Sequence, residues 1–207
     1  MIRELPYFEI DGSYGGNQDW LTDPMMNLGG CGALAACDIC IYLAKYYGAK
    51  SLVPFPVEEL DKKKYMDFSS IMKPYLHPRW MGINKLETWM DGFQDYLDDR
   101  NELTGESPII GMRAVHKAIA WPEAGERIVE QIDKGMPLPI MILHHHDKQF
   151  SEYEWHWFII NGYNKSDDGH ILLKAATYGQ YEWLPLEKLW ITGRDLEDGG
   201  VVLIDKK

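Results

Sequence analysis

The chain has 207 residues and a formal net charge of −11, with 45% apolar and 26% charged residues. That length and apolar share suit one folded domain with a sizeable core and argue against disorder. The acidic balance argues against nucleic acid or an anionic membrane surface as partner. No apolar run approaches the ~20 residues that span a bilayer, and the opening Met1 to Pro6 lacks the basic head and apolar stretch of a signal peptide. Cys31, Cys37 and Cys40 are the three cysteines, an odd, clustered set that speaks against a disulfide framework and for a reducing, cytoplasmic setting.

No repeat, low-complexity tract or linker divides residues 1–207, so a single domain is expected. Phe8 to Leu28 is rich in Gly, Asn, Asp and Pro and reads as loop. A helix is predicted over Gly32 to Tyr47, where Ala33, Ala36, Cys37, Cys40, Ile41 and Ala44 recur at helical spacing and Gly48 is a stop. Its small residues suit a buried, central helix. A second helix is predicted from Pro56 to about Tyr75, with a loop over Leu76 to Gly82. Asn84, with Glu87 three residues on, caps a third helix running to about Leu103. Ile109 to Ala118 reads as a strand, and Pro122-Glu123 opens a fourth helix ending at Lys134-Gly135. Strands follow at Leu138 to His145, Glu154 to Tyr163, Ile171 to Thr177, Tyr181 to Leu184 and Val201 to Asp205, separated by turn residues. Helices first and an antiparallel sheet second make the fold class α+β.

Chemistry concentrates at Gly29-Gly30-Cys31-Gly32. A thiol at the mouth of a helix faces unpaired N–H groups and the positive end of the dipole, which favour thiolate. The flanking glycines let the backbone turn sharply and leave room for a ligand. Far downstream, His156 opens the apolar strand Trp157-Phe158-Ile159-Ile160. A thiolate with an imidazole available is the minimum equipment of a cysteine nucleophile.

Other motifs carry less. His144, His145, His146 and Asp147 form a cluster in which strand alternation would put His144 and His146 on one face, yet the ligand set is incomplete for Zn²⁺ and a polar turn is the better reading. Cys37 and Cys40 have redox spacing but lie inside the helix, which reads as core packing. Trp80, Trp89, Trp121, Trp155 and Trp157 read as core, with Trp20 and Trp157 nearest a cleft.

Gly30-Cys31-Gly32-Ala33, together with His156 through Gly162-Tyr163, resembles the papain-like cysteine peptidases. The likeness is to their bacterial branch around the double-glycine leader peptidases. Lys134 to Ile140, with a Gly and a Pro leading into the strand before the histidine strand, fits the same pattern. The resemblance covers about residues 15–48 and 126–189, and the middle helices match nothing specific. It implies a Cys-bearing helix packed on a His-bearing sheet, with Cys31 as nucleophile, His156 as base, a thioester intermediate, a peptide or small amide as substrate and no cofactor. It also implies oxyanion donors: the Cys31 backbone N–H and an upstream side-chain amide. The family's Gln position holds Met25 here, so Gln18 is the first substitute and Asn27 the second. The residue that orients the histidine would fall at Ala176 or Thr177, neither an amide nor a carboxylate. Thr177 can accept a hydrogen bond through its hydroxyl. That departure leaves a second reading open: the same fold with an idle site, serving as a peptide- or partner-binding module.

Overall fold

A computed structural model describes residues 1–78, 82–106, 110–193 and 199–206. The N-terminal half is mainly helical. A short strand β1 (Ile2–Glu4) is followed by a two-strand hairpin, β2 (Glu9–Ile10) and β3 (Ser13–Tyr14). Helix α1 (Pro24–Gly29) runs into α2 (Cys31–Tyr47), and α3 (Lys62–Met72) and α4 (Leu86–Thr104) complete the set. The second half alternates β4 (Ile110–His116), α5 (Trp121–Asp133), β5 (Leu138–Ile142), β6 (His156–Lys165), β7 (Ile171–Thr177), β8 (Gln180–Pro185), α6 (Leu186–Trp190) and β9 (Gly199–Lys206).

Among the described residues the main sheet has seven strands, six of them in the order β4-β9-β5-β6-β7-β8, every pairing antiparallel. Strand β1 adds to the far half of β6, with Ile2 opposite Asn164 and Glu4 opposite Gly162, on the stretch that β5 leaves unpaired. Strand β6 is buried continuously from His156 to Tyr163. Successive side chains point to opposite faces, so both faces are covered, which explains an apolar run in place of an alternating one.

Helix α2 lies at the centre. Every residue from Cys31 to Ala44 is buried, as a helix apolar on all sides requires. It packs on β5, β6 and α3. Its small residues admit close neighbours: a Cβ on Gly32 would lie 3.2 Å from Ile83, 3.4 Å from Trp89 and 3.6 Å from Trp157. The Trp89 and Trp157 rings stack at 5.3 Å, and their indole N–H groups donate to the carbonyls of Gly32 and Ile83. The space beside Gly32 therefore holds core side chains, not the ligand the flanking glycines were expected to admit. Gly30 is needed for a different reason, because a Cβ there would lie 2.4 Å from the Met26 carbonyl oxygen as α1 turns into α2.

Several expected boundaries move. The segment 8–28 is not plain loop: it carries the β2–β3 hairpin, a 3₁₀ turn at Gln18–Trp20 and α1, whose N-cap Asp23 accepts from the N–H groups of Met25 and Met26. The second helix is split, with a 3₁₀ turn at Val57–Glu59 and α3 starting only after Asp61 caps it through Lys64 N–H. Lys85, not Asn84, is the residue before α4. Strand β5 stops at Ile142, so His144 to His146 lie beyond it and the strand-face argument for them fails. Strand β1 and helix α6 were not expected. Trp80 and Ile109 lie outside the described residues. Among the described residues, no helix is long and apolar enough to cross a membrane.

Candidate active site

Cys31 is the first residue of α2, with Gly30 before it and the Leu34 N–H closing the first turn on the Gly30 carbonyl. His156 is the first residue of β6 and sits opposite Ile142 of β5. Helix α2 packs directly on β6, and both residues line one narrow cavity of about 30 Å³ that also borders Gln18, Asp38, Thr177 and Tyr178. Residues 125 positions apart in the chain thus line one cavity where helix α2 packs on the sheet.

Both members of the pair are almost closed off from solvent, Cys31 at 4% and His156 at 6% exposure. Burial pushes the Cys31 thiol up, and the backbone N–H groups of Trp157, Gly32 and Cys31 pull it down without prevailing. Burial also lowers His156 to about 4. The resting pair is therefore neutral thiol and neutral imidazole. This corrects the expectation that the helix end alone would hold a thiolate: desolvation penalises the charged form more than the dipole favours it. In this state the thiol donates to the carbonyl oxygen of Trp155, 3.9 Å from Sγ.

The imidazole is fixed on three sides. Its Nε2 lies 2.7 Å from the Thr177 hydroxyl oxygen. The Tyr178 ring stacks on it at 4.8 Å and 6°, and Phe158 lies 5.8 Å away at 19°. Of the two positions the sequence left open, Thr177 makes this contact. Tyr178 reaches the imidazole at a conformational cost. Its φ is +48° and that of Gly179 is +74°, the two-residue reversal with positive φ at both centres that joins antiparallel strands. A bulky side chain is disfavoured there. The turn is clamped by main-chain bonds, Tyr14 N–H to the Gly179 carbonyl and Gly179 N–H to the Gly16 carbonyl. These bonds hold the segment just before Gln18 against the β7–β8 turn.

Gln18 is 6% exposed. Its amide nitrogen donates to the Asn27 carbonyl at 2.7 Å, and its Oε1 is buried with no hydrogen-bond partner among the described residues. Asn27 is exposed, and its own amide donates to the carbonyls of Gln18 and Leu21. Of the two candidate oxyanion donors, Gln18 alone borders the cavity.

Asp38 is the residue that sequence reasoning passed over. Cys31, Leu34, Ala35 and Asp38 fall at i, i+3, i+4 and i+7, one face of α2, and all four line the cavity. The signal was a lone acid inside an otherwise apolar run. Its carboxylate accepts from Tyr7 at 2.8 Å and Tyr65 at 2.7 Å. Burial raises it from 3.8 to about 6 against those hydrogen bonds and the Gly16 N–H. Trp157 lines the cavity, while Trp20 stands one layer behind, edge-on to Tyr65 at 5.8 Å.

The remaining motifs are structural. Cys37 and Cys40 are free and fully buried. His145 is buried, with Nε2 3.0 Å from the Lys188 carbonyl oxygen and Nδ1 accepting from Asp147 N–H, so both ring nitrogens are engaged. His144 packs edge-on against Trp155.

Beside the cavity, and sharing Thr177 and Tyr178 with it, a hollow of about 500 Å³ is lined by Asp19, Glu152, Glu182, Tyr153 and Tyr181, with no basic residue among the described residues of its walls. In comparisons with known proteins, the chain matches no family model, and no curated protein or solved structure is similar to it.

Proposed function

We propose that this protein is a cysteine-dependent hydrolase of the papain-like kind, acting on a peptide or small amide through a thioester on Cys31. One observation carries the reading: a helix-start thiol, a strand-start imidazole with a hydroxyl at its Nε2, and a buried amide border one cavity.

The chemistry follows from the hydrogen bonds. A Thr177 oxygen accepting from Nε2–H selects the tautomer whose Nδ1 lone pair is free to act as base. When substrate enters, the Cys31 thiol turns from the Trp155 carbonyl to His156 and passes its proton to Nδ1 as the sulfur attacks the carbonyl carbon. Charge separation arises only as the reaction proceeds, in a site from which water is largely shut out. The Cys31 N–H and the remaining Gln18 N–H receive the oxyanion. His156 then protonates the departing nitrogen, and a water activated by the same imidazole cleaves the thioester. The acidic hollow beside Tyr178 is the approach for substrate, and its carboxylates favour neutral or basic chains over acidic ones.

Turnover of a panel of peptides and acyl amides, lost in Cys31→Ala, tests the reading. A panel left untouched by the intact protein, with peptide still bound in the cleft, would favour the second reading of an idle fold used for binding, which Thr177 at the position where the resembled family carries Asn or Asp motivates.

A further inference from the structure

Gln18 has an arrangement that an oxyanion donor alone does not need. Its side chain is shut off from solvent, one amide N–H is committed to the Asn27 carbonyl, and its Oε1 has no hydrogen-bond partner among the described residues. A buried acceptor without a partner is costly, and native proteins contain few of them. The Asn27 carbonyl also prevents the amide from flipping, since the reversed side chain would set oxygen against oxygen. Gln18 borders the cavity, and its amide has one N–H and one carbonyl oxygen left for a ligand there. The cavity itself, at about 30 Å³, has room for one or two water-sized groups.

We propose that the Cys31 site takes primary carboxamides, and that Gln18 recognises them by pairing amide to amide. The substrate oxygen accepts from the Gln18 N–H, and the substrate –NH₂ donates to Gln18 Oε1. A primary amide carries a hydrogen on nitrogen beside its carbonyl oxygen, as a trans secondary amide does not. In an ordinary trans peptide bond that position is occupied by carbon, so Oε1 would stay unpaired. The inference rests on the hydrolase reading and names its substrate class. Cys31 sulfur bonds to the carboxamide carbon while its proton moves to His156. The C–N bond then breaks as His156 returns the proton to nitrogen, releasing ammonia and leaving the thioester. Water breaks the C–S bond, so that carboxamide plus water gives carboxylic acid plus ammonia.

The test uses a set of capped amino acids, each presented as the primary amide, the N-methylamide and the ethyl thioester. The expected result is ammonia release from primary amides with kcat/KM about 100-fold above methylamine release from the matched N-methylamides, the scale set by one unpaired buried acceptor. In Gln18→Met that ratio falls toward one. Equal rates for the two amides, faster N-methylamide cleavage, cleavage of the thioester alone, or a ratio that survives in Gln18→Met would overturn the inference while leaving the hydrolase reading intact. Absence of Cys31-dependent turnover of the thioesters would overturn both.

Discussion

Asp38→Asn isolates the electrostatic cost of the buried acid on the Cys31 helix. The native carboxyl is raised from 3.8 to about 6, and at 1.36 kcal/mol per pH unit the folded state disfavours the ionised form by about 3 kcal/mol. Between those two values the folded chain holds a proton that the unfolded chain releases. Stability is therefore greater at low pH and falls as pH rises through the window, with the full cost felt above about 6. The groups packed around the carboxyl are Tyr7, Tyr65 and the Gly16 N–H. Both tyrosines are held well above their usual range, so they stay neutral throughout. Asparagine keeps the shape and has no charge to desolvate. At pH 4.5 the unfolded carboxyl is already mostly ionised, so about 1 kcal/mol of the cost remains there, against about 3 kcal/mol at pH 7.5. Urea unfolding at the two pH values should thus show the stability of Asp38→Asn relative to wild type improving by about 2 kcal/mol from acid to neutral. His156 titrates in both proteins and cancels from the comparison. A difference that is unchanged between the two pH values, or that shifts the other way, would refute the reasoning.

His156, lowered to about 4 by burial, works as a base only when neutral, so the acid limb of kcat/KM should fall near pH 4, where an ordinary histidine would place it near pH 6.5. Thr177→Val removes the hydroxyl 2.7 Å from Nε2 and should lower kcat about 10-fold, the size of one hydrogen bond. Thr177→Asn should restore or exceed the native rate, and steady-state kinetics on the three proteins decides. Tyr178→Asn suits the positive-φ turn better and should raise stability by about 1 kcal/mol in thermal unfolding. It also removes the ring stacked on His156, so kcat should fall while the protein becomes more stable.

What could be read from the residues and what could not divide along physical lines. Helix α2 and strand β7 were legible because each carries its own periodicity and its own stop residues. The convergence of Cys31, His156, Gln18 and Thr177 on one cavity followed from a family resemblance more than from local pattern. Strand β1 was invisible because its three residues are exposed and its partner lies some 160 positions away. The 8–28 segment hid α1 because Gly and Asn can serve equally in loops and at helix ends. The charge state of Cys31 was misjudged for a related reason. A helix start is readable from Gly30-Cys31-Gly32, but the depth at which it is buried depends on Ile83, Trp89 and Trp157, which arrive from elsewhere in the chain. Asp38 was legible only as a lone acid among apolar residues, because its partners Tyr7 and Tyr65 come from other elements.

The central claim is that Cys31 accepts an acyl group with His156 as its base. Intact-protein mass spectrometry after brief exposure to an acyl thioester, followed by acid quench and peptide mapping, addresses it directly. The account predicts one acyl adduct on Cys31 in the native protein and a far slower build-up in His156→Ala. Acylation at Cys37, Cys40 or a lysine instead, or adduct formation on Cys31 at the same rate without the imidazole, would contradict it.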